Sequence, residues 1–245
     1  APSALRAPRP ATRPVRGRAK TAFLVAGTGD SYEGLAAGLY AAEPEFREIM
    51  DLGFTLARDH LKRDLRDLTH IAKGREKSAQ GDLRALVRAA RGEGTKVETL
   101  TIAEQHCADF VLAYALAQFW RRAGLEPDAL LGYSLGQYVA ATVSEVFSLA
   151  DAIGLVVARA RLIERHDRGG MLTVCLPATA IQDRLPEGLT LAAFNAPNLN
   201  VVGGDAALLD RFQAELVEAG VVVRRLPTRH AIHTPDLDMA AKDLK

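Results

Sequence analysis

Apolar positions change their period several times along this chain, and each change marks an element. Thr21 to Ala26 (TAFLVA) is a short apolar run that stops at Gly27-Thr28-Gly29, the pattern of a buried parallel strand entering a tight loop. From Tyr40 to Gly94 the text is helical and charged, and its middle, Arg58 to Arg91, reads as a solvated face or surface excursion. Gln105 to Ala123 predicts a helix, because Ala108, Val111, Leu112, Ala115, Leu116 and Phe119 recur at helical spacing and Gly124 stands just past its end. Pro127 blocks continuation, and a second apolar run, Ala129-Leu130-Leu131, begins at once.

That run enters Gly132-Tyr133-Ser134-Leu135-Gly136, and good helix formers (Gln137, Val139, Ala140, Ala141) leave it. The reading is strand, sharp turn, helix, with Ser134 at the apex. A serine held there projects its hydroxyl clear of the sheet, and glycine at 132 and 136 lets the flanking backbones pass closely. The following helix aims its first free N–H groups at charge developing beside the serine. The pentapeptide alone is a weak signal, so the weight rests on the strand before it and the helix after it. The earlier Gly27-Thr28-Gly29 loop fails as a dinucleotide fingerprint, since the third glycine falls at Gly34. A better use for it is a backbone N–H aimed at an anion beside the elbow.

Ser148, with Asp151 three residues on, predicts the N-terminal cap of a further helix. Leu149, Ala152, Ile153, Val156, Val157, Ala160 and Ile163 then form one buried stripe. Arg159 and Arg161 lie at opposite borders of that stripe, each about 100° from its centre, so periodicity leaves both open as cleft residues. Beyond it the pattern shortens. Met171 to Leu176 reads as strand, Ala178 to Leu185 as helix, Leu189 to Phe194 and Asn200 to Val202 as strands, Ala206 to Ala219 as helix and Val221 to Leu226 as strand. The order βαββαβ is the ferredoxin-like unit. Last comes Arg229-His230-Ala231-Ile232-His233-Thr234-Pro235. Its HxxH spacing suggests metal, but Pro235 pushes Thr234 away from helical geometry and no third ligand is near in sequence, so no metal site is expected. A histidine acting as base for Ser134 fits better, since serine is a poor nucleophile until something removes its proton. On spacing, His230 and His233 are equal candidates.

Composition narrows the classes. The chain has 245 residues, 48% hydrophobic and 25% charged, enough for one large core or two subdomains. No apolar run approaches a membrane span, so a soluble, cytoplasmic protein is expected with no membrane partner. Cys107 and Cys175 give neither a disulfide framework nor a zinc cluster. The formal charge of +1 divides into +6 over residues 1–20 and −5 over the rest. A mildly acidic body argues against nucleic acid, which needs a basic face on the fold itself. Ala1 to Lys20, rich in Ala, Pro and Arg, reads as an extended linker, and the absence of an initial methionine suggests a piece of something longer. His60 and His70 sit among charges and are expected on the surface.

Together these motifs resemble a family: the acyltransferase domain of modular polyketide synthases, related to malonyl-CoA:acyl carrier protein transacylase. Gly132-Tyr133-Ser134-Leu135-Gly136 resembles its GHSxG, Arg159-Ala160-Arg161-Leu162 its arginine motif, and His230-Ala231-Ile232-His233 its HAFH. Weaker matches are Val25-Ala26-Gly27-Thr28-Gly29 to FPGQG, Gln105 ahead of the long helix, and Asn195-Ala196-Pro197. Thr28, Tyr133 and Gln137 depart from the family's usual Gln, His and Glu.

The resemblance implies an α/β fold: an α/β-hydrolase-like large subdomain with a parallel sheet and nucleophile elbow, plus an inserted ferredoxin-like (βαββαβ) small subdomain. The expected division is a linker over 1–20, the large subdomain over 21–168, the small one over 169–228, and a return over 229–245 with the remainder of the domain beyond Lys245. It implies that Ser134 forms an acyl-ester with His233 as general base and the backbone N–H groups of Leu135 and Thr28 as oxyanion hole. Arg159 would hold the free carboxylate of a malonyl-type group, while Tyr133, His230, Ile232, Gln105 and Asn195 shape the pocket. His230 and Ile232 lean towards malonyl over methylmalonyl. The implied activity loads a malonyl-type unit from acyl-CoA onto the phosphopantetheine thiol of an acyl carrier protein, with no permanently bound cofactor, beside neighbouring synthase domains such as a ketosynthase. A serine hydrolase of the esterase or proofreading type, and a non-catalytic scaffold, are the alternatives.

Overall fold

Two short apolar runs far apart in sequence meet first. In the computed structural model, which describes residues 19–29, 31, 32, 34–66, 100–165, 169–235 and 237, β1 (Ala22–Val25) and β2 (Ala129–Gly132) pair in parallel from Ala22↔Ala129 to Val25↔Gly132. Asp128 pins the foot of the pair. Its backbone N–H donates to the Thr21 carbonyl at 2.7 Å, and its carboxylate accepts from the Thr21 N–H at 2.8 Å. The period of two turns Phe23, Val25 and Leu130 towards the helices, while Leu24 and Leu131 point outward, 76% and 66% exposed. The expectation of strands buried on both faces is thus corrected, because the helices described here cover one face of the pair.

Those helices are α1 (Ala37–Ala42), α2 (Pro44–Leu61), α3 (Ile102–Arg122), α4 (Gly136–Val143) and α5 (Leu149–Arg165). Proline at the first position of α2 supplies a preset φ where no N–H partner is needed. Its buried face carries Phe46, Ile49, Met50, Phe54 and Ala57. A Cβ on Gly53 would lie 2.6 Å from the Val111 side chain, so α2 crosses close to α3 there. Helix α3 starts three residues ahead of the expected Gln105 because Thr101 and Glu104 form a capping box, each side chain accepting the other's backbone N–H. The predicted cap of α5 is present, with the Asp151 N–H donating to Ser148 Oγ at 3.1 Å. Ala152, Ile153, Val156, Val157, Ala160 and Ile163 are buried as the stripe predicts. Of the charged stretch expected between Tyr40 and Gly94, residues 67–99 and with them His70 lie outside the described residues.

The second sheet has the strand order β4-β5-β3-β6, every pair antiparallel. Its elements are β3 (Gly170–Val174), α6 (Ala178–Gln182), β4 (Leu189–Ala196), β5 (Leu199–Gly204), α7 (Ala206–Glu218) and β6 (Val223–Arg225). Sequence order and pairing together give the expected ferredoxin-like unit, with Leu172, Val174, Ile181, Val202, Leu209 and Phe212 buried between sheet and helices. Helix α6 stops short of the predicted Leu185, because Arg184 and Leu185 close tighter bonds three residues back, to Ile181 and Gln182. Strand β4 slips twice against β5, between Leu191 and Ala193 and between Phe194 and Ala196, which leaves Ala192 and Asn195 as extra residues. Among the described residues no helix is long and apolar enough to cross a membrane.

Candidate active site

The strand–turn–helix reading of the elbow holds at the level of single atoms. Ser134 adopts φ 50°, a left-handed conformation that a non-glycine residue keeps only under constraint. The constraint is visible on both sides. A Cβ on Gly132 would run into the backbone of Gly136 and Gln137, and one on Gly136 would run into the carbonyls of Val25 and Ala26. The Tyr133 N–H donates to the Val25 carbonyl at 2.9 Å, so the turn is tied to the end of β1. A Cβ on Gly27 would lie 3.2 Å from Ser134 Cβ, which sets the Gly27-Thr28-Gly29 loop against the serine. Among the described residues the amides of Thr28 and Leu135 make no hydrogen bond, leaving both as donors beside it.

His233 arrives on the loop that follows β6. Leu226 donates its N–H to the Met171 carbonyl at 2.9 Å, and Gly169 donates to Arg229 at 3.1 Å, so the loop is laced to the start of β3. A Cβ on Gly169 would lie 2.8 Å from Ala231 Cβ, and Thr234 Oγ1 donates to the Ala231 carbonyl at 2.9 Å. These ties hold His233 at φ 64° with its Nε2 at 2.9 Å from Ser134 Oγ. The histidine that meets the serine is therefore His233. His230 is half-buried, its backbone N–H donating to Thr228 Oγ1 at 3.2 Å. Burial first, and then the Arg159 charge, lower the pKa of His233 below the usual imidazole value. A neutral imidazole with a free lone pair can accept a hydroxyl proton at pH 7.

Arg159 lines the same cleft, about 790 Å³ in volume, together with Ser134, His233, Tyr138, Phe147 and Leu162. Its guanidinium carbon stands 5.7 Å from the centre of the Tyr138 ring. Burial lowers its pKa, and among the described residues no carboxylate pairs with it. A guanidinium in that setting can pair with an anion that enters the cleft. Arg161, at the other border of the stripe, donates to the His60 carbonyl at 2.7 Å and ties α5 to the end of α2.

The remaining candidates lie around this centre and do not line the cleft themselves. Gln105 Nε2 donates to Ser31 Oγ and to Asp109 Oδ1, each at 2.9 Å, and so faces the segment after the Thr28 loop. The Tyr133 hydroxyl donates to Asn195 Oδ1 at 2.8 Å. Ile232 is half-buried in the His233 loop. Sequence reasoning missed three polar neighbours. Tyr138 stands four residues after Ser134, one helical turn along the same face, which was a usable signal. His106 and Asp109, at i and i+3, interrupt the apolar surface of α3 and are 6% and 9% exposed. Arg159, Asp109 and His230 all act electrostatically on His106.

The family model described as the acyl transferase domain matches residues 22–245. The chain belongs to the acyl transferase domain family. As such a domain it is 35% identical over 219 residues to a phenolphthiocerol/phthiocerol polyketide synthase of Mycobacterium tuberculosis, covering 89% of this chain and 13% of that protein. It is 31% identical to orsellinic acid synthase of Emericella nidulans, covering 91% of this chain and 10% of that one. The domain thus spans about an eighth or less of the length of these curated relatives. The solved acyl transferase domain of SpnD in complex with 2-(pent-4-yn-1-yl)malonyl superposes with TM-score 0.79 at 33% identity, over 96% of this chain and 51% of that one. The malonyl CoA-acyl carrier protein transacylase of Clostridium perfringens shares the fold at TM-score 0.69 and 22% identity, over 92% of this chain and 66% of that one. An acyl transferase domain is an acyltransferase, and the α/β fold with a parallel and a separate antiparallel sheet is the one these neighbours have.

Proposed function

We propose that this domain takes a malonyl-type group from acyl-CoA and passes it, through an ester on Ser134, to the phosphopantetheine thiol of an acyl carrier protein. The observation that carries the reading is the 2.9 Å contact between Ser134 Oγ and His233 Nε2 in a cleft that also holds a carboxylate-free arginine. His233 Nε2 accepts the Ser134 proton as Oγ attacks the thioester carbonyl. The amides of Leu135 and Thr28 donate to the resulting oxyanion. As the tetrahedral intermediate collapses, the C–S bond breaks and the CoA sulfur takes the proton from His233. The carrier thiol then gives its proton to His233, attacks the ester carbonyl and displaces Ser134 by the reverse route. Arg159 grips the free carboxylate of the acyl group throughout, a pairing suited to the planar guanidinium. The malonyl-type group in the SpnD structure supports this substrate class.

The partners in this reading are an acyl carrier protein and the adjacent synthase domains, a ketosynthase among them, since the relatives are polyketide synthases many times longer than this chain. Incubation with labelled malonyl-CoA, with and without carrier protein, tests it. A stable adduct on Ser134 that discharges only to carrier is the expected result. Rapid turnover without carrier would instead mean a hydrolase, and absence of an adduct would mean a non-catalytic scaffold.

A further inference from the structure

The loop that carries the Thr28 amide has little of its own to hold it still. Thr28 stands between two glycines, and Gly29 adopts φ 131°, a region that glycine enters freely. Among the described residues, Gly27, Thr28, Gly29 and Ser31 make one hydrogen bond to another element, in which Gln105 Nε2 of α3 donates to Ser31 Oγ at 2.9 Å. We propose that Asp109 is a positioning residue: through Gln105 and Ser31 it holds the Thr28 amide on the oxyanion of the reaction described above.

Three observations build this brace. Gln105 and Asp109 stand four residues apart on one face of α3, and Gln105 Nε2 donates to Asp109 Oδ1 as well as to Ser31 Oγ, each at 2.9 Å. An ionised carboxylate accepts hydrogen bonds and donates none, so the amide turned over would set its carbonyl oxygen against a carboxylate oxygen. Asp109 thereby keeps the donor end of Gln105 on the loop. The platform beneath the pair is firm. Asp109 is only 9% exposed, the first turn of α3 is closed by the Thr101–Glu104 capping box, and the Ala103 N–H donates to Glu164 of α5 at 3.2 Å. Finally, Asp109, Ser31, Gly27, Gly29 and Leu135 border a cavity of about 560 Å³ whose lining shares no residue with the catalytic cleft. The brace therefore meets the loop without standing in the path of substrate.

The inference rests on the acyl-transfer reading for its oxyanion, and a serine probe separates the two. An oxyanion donor acts in the transition state and leaves substrate binding alone, so the brace is read in the rate constant and not in affinity. Single-turnover acylation of Ser134 in the full chain would be measured over a range of malonyl-CoA concentrations. Asp109→Leu, Gln105→Met and Ser31→Ala should each lower the limiting rate about 10- to 100-fold with half-saturation unchanged, since a displaced donor keeps part of what a deleted one loses. Asp109→Asn keeps an acceptor at the same reach and should recover most of the parental rate. Asp109→Leu combined with Ser31→Ala should be no slower than either alone, because both cut one chain of contacts. Ser31→Ala removes only a half-buried hydroxyl and leaves the charges around His106 in place, so a role of Asp109 confined to packing or charge would spare it. An unchanged rate in that variant, a raised half-saturation at constant rate, or multiplied losses in the double variant would overturn the brace. A small alkyl fluorophosphonate, whose phosphoryl oxygen draws on the same donors, gives the same comparison with a reactive serine alone. Phosphonylation of the parent without malonyl uptake would refute the substrate reading, while the variant-to-parent phosphonylation ratios would still decide the brace.

Discussion

His106 offers a stability experiment whose size follows from its surroundings. Burial is the main cause that lowers its pKa from 6.5 to about 4, with Arg159 and His230 adding to the effect and Asp109 opposing it. Its Nδ1 is buried without a hydrogen-bond partner among the described residues, so a proton taken up there gains no hydrogen bond to offset its burial. The folded state holds the neutral form, and between about pH 6.5 and pH 4 the unfolded chain binds the proton that the folded chain refuses. Stability from this group is therefore fully present above pH 6.5 and declines as the pH falls through that window. At about 1.36 kcal/mol per pH unit the full displacement amounts to about 3 kcal/mol, of which about 2 kcal/mol is already lost at pH 5. Urea unfolding of the parent and of His106→Gln at pH 7.5 and pH 5 isolates it, because the other titrating groups are common to both proteins. The variant should lose about 2 kcal/mol less than the parent between the two pH values. Equal losses would show that His106 is not held neutral and would refute the assignment.

Arg159→Ala should cost about 10- to 100-fold in acylation by malonyl-CoA while acetyl-CoA is much less affected, the range of a hydrogen-bonded charge pair; competition between the two labelled thioesters measures it. Because burial and Arg159 lower the pKa of His233, the base is unprotonated throughout the neutral range. The acylation rate should accordingly stay flat on acidification from pH 8 and fall only below the ordinary imidazole value of 6.5, as a stopped-flow pH profile would reveal. Gly136→Ala should destabilise the chain by about 1–3 kcal/mol in urea titration, since its Cβ would meet the carbonyls of Val25 and Ala26.

The elbow was legible because geometry leaves the chain few alternatives at its glycines: Gly132 and Gly136 each stand where a Cβ would strike backbone. The small sheet was legible because turn residues and short apolar runs alternate at regular intervals, and its strand order follows from the βαββαβ sequence. The two slips in β4 carried no comparable signal, since Ala192 and Asn195 become extra residues only when β5 is laid beside them. Spacing could not separate His230 from His233, nor Arg159 from Arg161. In each pair the outcome depends on a partner distant in sequence: the Met171 and Gly169 ties that swing His233 inward, and the His60 carbonyl that occupies Arg161. The start of α3 was open to the same reading, as Thr101 and Glu104 already spell a capping box.

Leu24 and Leu131 stand side by side on the face of β1 and β2 that the described residues leave open. A four-rung parallel ladder packed by the described helices on one side alone opens more cheaply than the four-stranded antiparallel sheet, so its amides should exchange with deuterium sooner. Ser134 and the Thr28 loop both hang from the ends of those strands. Whatever apolar surface comes to rest on the two leucines would stiffen the ladder, and through it the aim of the serine.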